Sequence, residues 1–108
     1  MSTLSTHVLD TALGRPAQGI RVTLLRGDDE IGSAVTDAEG RAKDLQGKTP
    51  LSAGAYVLAF SVGQYFGAAK RETLYDRVVI EFKVGDSSQH YHVPLLISPF
   101  GYSTYRGS

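Results

Sequence analysis

Three histidines, His7, His90 and His92, are the side chains of this chain best suited to chemistry. An imidazole has a reference pKa of about 6.5, so near neutrality it can take a proton from water and give one back elsewhere. His90 and His92 stand two apart, and in an extended strand residues i and i+2 share a face, here opposite the apolar set Tyr91, Val93, Leu95 and Ile97. If that apolar set faces a core, both imidazoles face outward, as plain surface residues or into an interface. A His-x-His strand joined by a third histidine is also an arrangement for zinc, three neutral imidazoles with an open fourth position for water. The spacing leaves these readings open, although no cysteine or nearby carboxylate is on hand to complete a metal site.

Arg41 follows the turn Asp37-Ala38-Glu39-Gly40, either as a solvated hairpin flank or as a fixed cation for an anionic ligand or a developing oxyanion. The eleven carboxylates fall mostly in turns, where Asp and Glu act as solvated punctuation and not as a catalytic acid pair. There is no phosphate-cradling glycine loop and no strand-turn-helix serine elbow. Arg26-Gly27-Asp28 reads as a hairpin loop. The stretch Tyr102 to Ser108 stays aromatic and β-like, unlike a frayed end, which predicts a docked tail.

The elements that must position these residues are strands. Ile20, Val22 and Leu24 alternate with Arg21, Thr23 and Leu25; Tyr56, Leu58 and Phe60 alternate with Val57, Ala59 and Ser61; Val78, Ile80, Phe82 and Val84 do so with Arg77, Val79, Glu81 and Lys83. Short strands separated by Gly- and Asp-rich turns predict an antiparallel sandwich or barrel. Val62 to Ala69 breaks the period of two and predicts a turn or two of helix. Pro94 cannot donate a ladder hydrogen bond, so the strand that carries it is expected to be irregular there.

At 108 residues the chain has room for one domain, 1–108, large enough to fold around a core without staples, and it has no cysteine for any. That absence excludes thiol nucleophiles and disulfide scaffolds. Eleven basic residues balance eleven acidic ones for a formal charge of +0, too little excess for a protein that must neutralise several phosphates, so nucleic acid is not an expected partner. No basic, apolar leader and no ~20-residue apolar run is seen, so the expectation is a soluble, cytoplasmic protein without membrane partners.

Four ordered blocks carry a resemblance along essentially the whole chain. They are Leu4-Ser5-Thr6-His7-Val8-Leu9-Asp10, Thr36-Asp37-Ala38-Glu39-Gly40-Arg41, His90-Tyr91-His92-Val93-Pro94-Leu95-Leu96 and Tyr105-Arg106-Gly107-Ser108. By these the chain resembles the 5-hydroxyisourate hydrolases, the transthyretin-related proteins of purine degradation. The resemblance implies an all-β, transthyretin-like antiparallel β-sandwich of two four-stranded sheets with one short helix, assembled as a homotetramer with active sites in clefts between dimers. It implies hydrolysis of 5-hydroxyisourate to 2-oxo-4-hydroxy-4-carboxy-5-ureidoimidazoline, with no metal or other cofactor required. By motif position it implies a catalytic set of His7, Arg41, His92 and Ser108. Substrate contacts would come from Arg41, His90, Tyr105, Arg106, Gly107 and Ser108, with His90 secondary. Leu74-Tyr75-Asp76-Arg77 departs from the aromatic pair and proline that many members carry, so the shape of that loop is not carried over.

The alternative from another class is a carrier, in which the same sandwich keeps an apolar channel for a small hormone, as transthyretin does. Such a channel has no use for two histidines and an arginine. A zinc hydrolase is the third reading, distinguished by its need for metal.

Overall fold

The computed structural model describes residues 2–108; Met1 lies outside the described residues. Ten strands and one helix follow in the order β1 (Thr3–Asp10), β2 (Arg15–Pro16), β3 (Arg21–Arg26), β4 (Asp29–Val35), β5 (Arg41–Ala42), β6 (Gly54–Phe60), α1 (Val62–Ala68), β7 (Val78–Val84), β8 (His90–His92), β9 (Leu95–Ser98) and β10 (Gly101–Thr104). One sheet runs β4-β3-β6-β7, all antiparallel. The other holds six segments in four strand positions: β10, then β8 and β9 end to end, then β1, then β5 and β2 end to end. The expected two four-strand layers are therefore present, one of them built from broken strands.

Two details amend the expectation. The β8–β9 strand is interrupted at Val93-Pro94, as the missing proline donor requires. The sheet is also mixed and not purely antiparallel, because β1 pairs in parallel with both β8 and β9. A parallel pair needs a long crossover, and nearly the whole chain lies between these two strands.

The layers face each other through the residues whose alternation marks them: Leu4, Val8, Tyr91, Val93, Leu95 and Ile97 from one sheet, Val22, Leu24, Tyr56, Leu58, Phe60 and Val78 from the other. Helix α1 closes one end by burying Val62 and Phe66. Phe66 is fully buried, so its truncation to alanine would cost roughly 3–5 kcal/mol. The helix stops at Lys70, which adopts φ 56°. The N–H of Lys70 then donates to Gly67 O and that of Arg71 to Phe66 O, which satisfies the last helical carbonyls. This turn sends Arg71 back onto β1, where its Nη1 lies 2.7 Å from Asp10 Oδ2.

Candidate active site

Strand β1 sits at the centre of the site. Leu4, Thr6, Val8 and Asp10 point into the core, so Thr3, Ser5 and His7 share the opposite, outward face. The parallel register sets Thr3 beside His90 and Ser5 beside His92, and on the other side of β1 the antiparallel register sets His7 opposite Arg41. Three strands from distant parts of the chain thus deliver His7, Arg41, His90 and His92 to one face.

Arg41 is held there by its turn. Asp37 Oδ1 accepts from the N–H of Glu39 at 2.9 Å and of Arg41 at 3.0 Å. These bonds, that from Arg41 foremost, hold the Asp37 carboxyl below its ordinary value. Gly40, at φ +76°, docks the turn on β1 by accepting from Val8 N–H at 2.7 Å. A Cβ at Gly40 would stand 2.3 Å from Val8 O, so only glycine brings this turn close enough to place Arg41 opposite His7. The guanidinium itself makes one loose ion pair, 3.7 Å from Glu39.

Ser5, Thr6, Arg41, Lys43, His90, His92 and Ser108 line an open pocket of ≈ 170 Å³ on this face. The Ser5 hydroxyl oxygen lies 2.8 Å from His92 Nδ1 and 2.9 Å from His90 Nε2, and Thr3 Oγ1 lies 2.6 Å from His90 Nδ1. His92 Nε2 has no hydrogen-bond partner among the described residues. Burial lowers the His92 pKa below 6.5, and the positive charge of Arg41 and the neighbouring His7 and His90 push the same way. A half-buried imidazole kept neutral, with one nitrogen free, is what a general base needs.

Gly107 and Ser108 close the pocket. Gly107 N–H donates to His92 O at 2.8 Å, and the residue lies against the imidazole so closely that a Cβ would sit 2.5 Å from His92 Cδ2. Before it, Thr104 Oγ1 donates to Pro94 O at 2.6 Å, and Arg106 lays its guanidinium 4.6 Å over the Tyr91 ring while Nη2 donates to Gln89 Oε1 at 2.6 Å. The predicted docked tail is present.

Of the residues singled out from the sequence, Arg41, His90, His92 and Ser108 meet at the pocket, with Gly107 packed against His92 and His7 beside it. Tyr105 and Arg106 do not join them within the chain. Both line a separate, mostly apolar hollow with Ile80, Phe82, Tyr91 and Val93, and Tyr105 is 58% exposed. Ser5, Thr3 and Lys43 had been given no role; only the register of β1 on β8 and the run of β5 reveal them. Arg26-Gly27-Asp28 is the β3–β4 hairpin turn, with Gly27 at φ +61°. The departing loop Leu74 to Arg77 is tied to the β9–β10 turn, where Leu74 N–H donates to Pro99 O at 3.0 Å. Among the described residues no group of three or more His, Cys, Asp or Glu side chains is gathered as metal donors would be. No helix among them is long and apolar enough to cross a membrane.

A transthyretin-like β-sandwich with a polar, histidine-lined pocket on one sheet is the class of protein these features define. The HIUase/Transthyretin family model matches residues 4–107, and the chain belongs to that family. A 5-hydroxyisourate hydrolase of Caulobacter vibrioides is 47% identical over 116 residues that cover all of both chains. The structure of Klebsiella pneumoniae 5-hydroxyisourate hydrolase superposes with a TM-score of 0.93 at 45% identity over 100% of each chain. Sea bream transthyretin in complex with thyroxine superposes with a TM-score of 0.87 at 26% identity, over 96% of this chain and 93% of that one.

Proposed function

We propose that the chain hydrolyses 5-hydroxyisourate to 2-oxo-4-hydroxy-4-carboxy-5-ureidoimidazoline, acting as a cytoplasmic homotetramer with the histidine pocket in a cleft between dimers. The observation that carries the chemistry is the meeting of Arg41, His7 and His92 on one sheet face. Hydrolysis of a ring amide needs a base for water, a cation or donor for the oxyanion, and a proton for the leaving nitrogen.

In this reading His92 Nε2 takes a proton from water as the water oxygen bonds to the ring carbonyl carbon. Arg41 holds the oxygen that gains charge. The carbon–nitrogen bond then breaks, and the leaving nitrogen receives a proton from His7, so one water is consumed and no net proton is released by the two histidines once they re-equilibrate. Ser108 hydrogen-bonds substrate or water from the tail. His90 borders the pocket, and Gly107 gives the tail its close approach to His92. Arg106 anchors the tail on Tyr91 and Gln89, and Tyr105 stands beside it on the neighbouring hollow.

The carrier reading is not favoured, because this face presents imidazoles, Arg41 and Lys43 where an apolar hormone would need apolar walls. The deciding experiment follows the ultraviolet loss of freshly made 5-hydroxyisourate with and without protein. Acceleration well above the spontaneous rate is expected, and its absence in folded protein would return the carrier to first place. Light scattering should give about four times 11.6 kDa, and fractionation against a periplasmic marker checks the compartment.

A further inference from the structure

Ser5 has no part in the steps above, yet its hydroxyl touches two of the three histidines. It is 8% exposed, and its Oγ lies 2.8 Å from His92 Nδ1 and 2.9 Å from His90 Nε2. Thr3 Oγ1 extends the line to His90 Nδ1 at 2.6 Å. A serine hydroxyl carries one hydrogen and two lone pairs, so it donates to at most one imidazole and at least one imidazole must donate to it.

Two arrangements use every group in the line. In one, His92 Nδ1–H donates to Ser5, Ser5 donates to His90 Nε2, and His90 Nδ1–H donates to Thr3. In the other all three bonds run backwards, and His92 presents an N–H from Nε2. The surroundings separate the two. Arg41 and Lys43 bring positive charge to the pocket, His7 flanks it on β1, His90 lies across Ser5, and Ser108 completes the wall. A lone pair at Nε2 is attracted by the two cations, whereas an N–H dipole there would oppose them.

We infer that Ser5 is a positioning residue, whose hydroxyl accepts from His92 Nδ1–H and donates to His90 Nε2, thereby fixing His92 with its lone pair at Nε2. The nitrogen a histidine leaves free is set by the bond its other nitrogen makes, and here that partner is Ser5. When Nε2 takes a proton, the Nδ1–H bond to Ser5 becomes charge-assisted and strengthens as the imidazolium forms. The inference rests on the hydrolytic reading only for the use to which the lone pair is put.

The test is a long-range ¹H–¹⁵N spectrum of the histidine rings in the whole protein, near neutral pH and without substrate. Wild type should show His92 protonated at Nδ1 and unprotonated at Nε2. Ser5→Ala should shift it toward the Nε2–H form that free histidine favours, and Ser5→Thr, which keeps the hydroxyl, should hold the wild-type pattern. In turnover, Ser5→Ala should lower kcat roughly 10–100-fold with KM little changed, and Ser5→Thr should recover most of it. A wild-type His92 protonated at Nε2, or a Ser5→Ala spectrum identical to wild type, overturns the assignment; the first result needs no variant to fold. Wild type with the Nδ1–H form but no consumption of 5-hydroxyisourate upholds the Ser5 contact and refutes the hydrolase reading instead.

Discussion

Gly107 lies against the imidazole of His92 with room for no side chain: a Cβ there would meet Cδ2 at 2.5 Å and the Pro94 ring at 3.1 Å. The same residue donates its N–H to His92 O, so tail and ring are fixed relative to each other by one backbone bond and one contact. An added methyl must push the ring or lift the tail.

Gly107→Ala should therefore lower kcat by about 10–100-fold, since a misplacement on the order of 1 Å in a catalytic group can cost that much. Gly107 lies outside the hydrophobic core, so circular dichroism and the melting temperature should hold. Full activity in the alanine variant would mean that Gly107 closeness has no bearing on His92.

Alanine at His7, Arg41 or His92 removes a group from the sheet face without opening the core, because the three project away from Leu4, Val8 and Leu95. Each should cost roughly 10²–10⁴ in rate with the fold intact. With imidazole as the base, prolonged chelation should leave turnover unchanged, whereas a metal-bound hydroxide would be lost with its metal. Revival of a chelated, inactive sample by zinc alone would reverse the assignment of His92.

The apolar alternation made β3, β6, β7 and the His90–Ile97 strand legible, and the helix was visible from its change of period. The strand that organises the site was not. In β1 the core-facing positions alternate Leu4, Thr6, Val8, Asp10, and two polar residues there erase the hydrophobic signal. Their burial is tolerated because Thr6 Oγ1 donates to Val93 O at 2.6 Å and Asp10 takes bonds from Arg71, Tyr65 and Leu13. Apart from Leu13, those partners lie 55 to 87 residues away in the chain, so no local window shows them. His7, Arg41 and His92 stood out by residue type and the family motifs then gave them a catalytic role, but Ser5 received none, since its role depends on the β1–β8 register. β4 escaped notice for a simpler reason: as an edge strand it is mostly exposed and carries polar residues.

The depressed pKa of His92 sets the direction of the pH profile. Burial and the charge of Arg41 both disfavour the imidazolium, so the neutral base persists at lower pH than for an ordinary histidine. The acid limb of kcat/KM should fall below pH 6.5, and NMR titration of the His92 ring should give the same midpoint. In Arg41→Gln one of the two leading causes is gone and the His92 midpoint should rise part of the way toward 6.5, burial retaining the rest. A midpoint that falls or stays fixed in Arg41→Gln would disconnect the two residues.

Asp10 tests the fold apart from the site, because it points into the core while His7 points out. Its carboxylate is fully buried and accepts from Arg71 Nη1 at 2.7 Å, Tyr65 OH at 2.8 Å and Leu13 N–H at 3.1 Å, tying α1 and two loops to β1. Burial pushes the carboxyl up, but the hydrogen bonds from Arg71, Tyr65 and Leu13 outweigh it and hold the pKa below 3.8. A carboxyl whose folded pKa lies below its unfolded value stabilises the fold above about pH 4 and loses that contribution as pH falls through the folded value. Asp10→Asn keeps the size but leaves the Arg71 guanidinium, 21% exposed, without a counter-charge. The expected loss at pH 7 is about 3 kcal/mol, the low end for a broken buried pair because Arg71 keeps some contact with water. Urea unfolding at pH 7, 5 and 3 should show the gap between wild type and Asp10→Asn narrowing at the lowest pH, where the carboxyl of the unfolded chain takes up a proton more readily than the folded one. A gap that is absent at pH 7, or that widens in acid, would show that the Asp10–Arg71 pair does not anchor the helix.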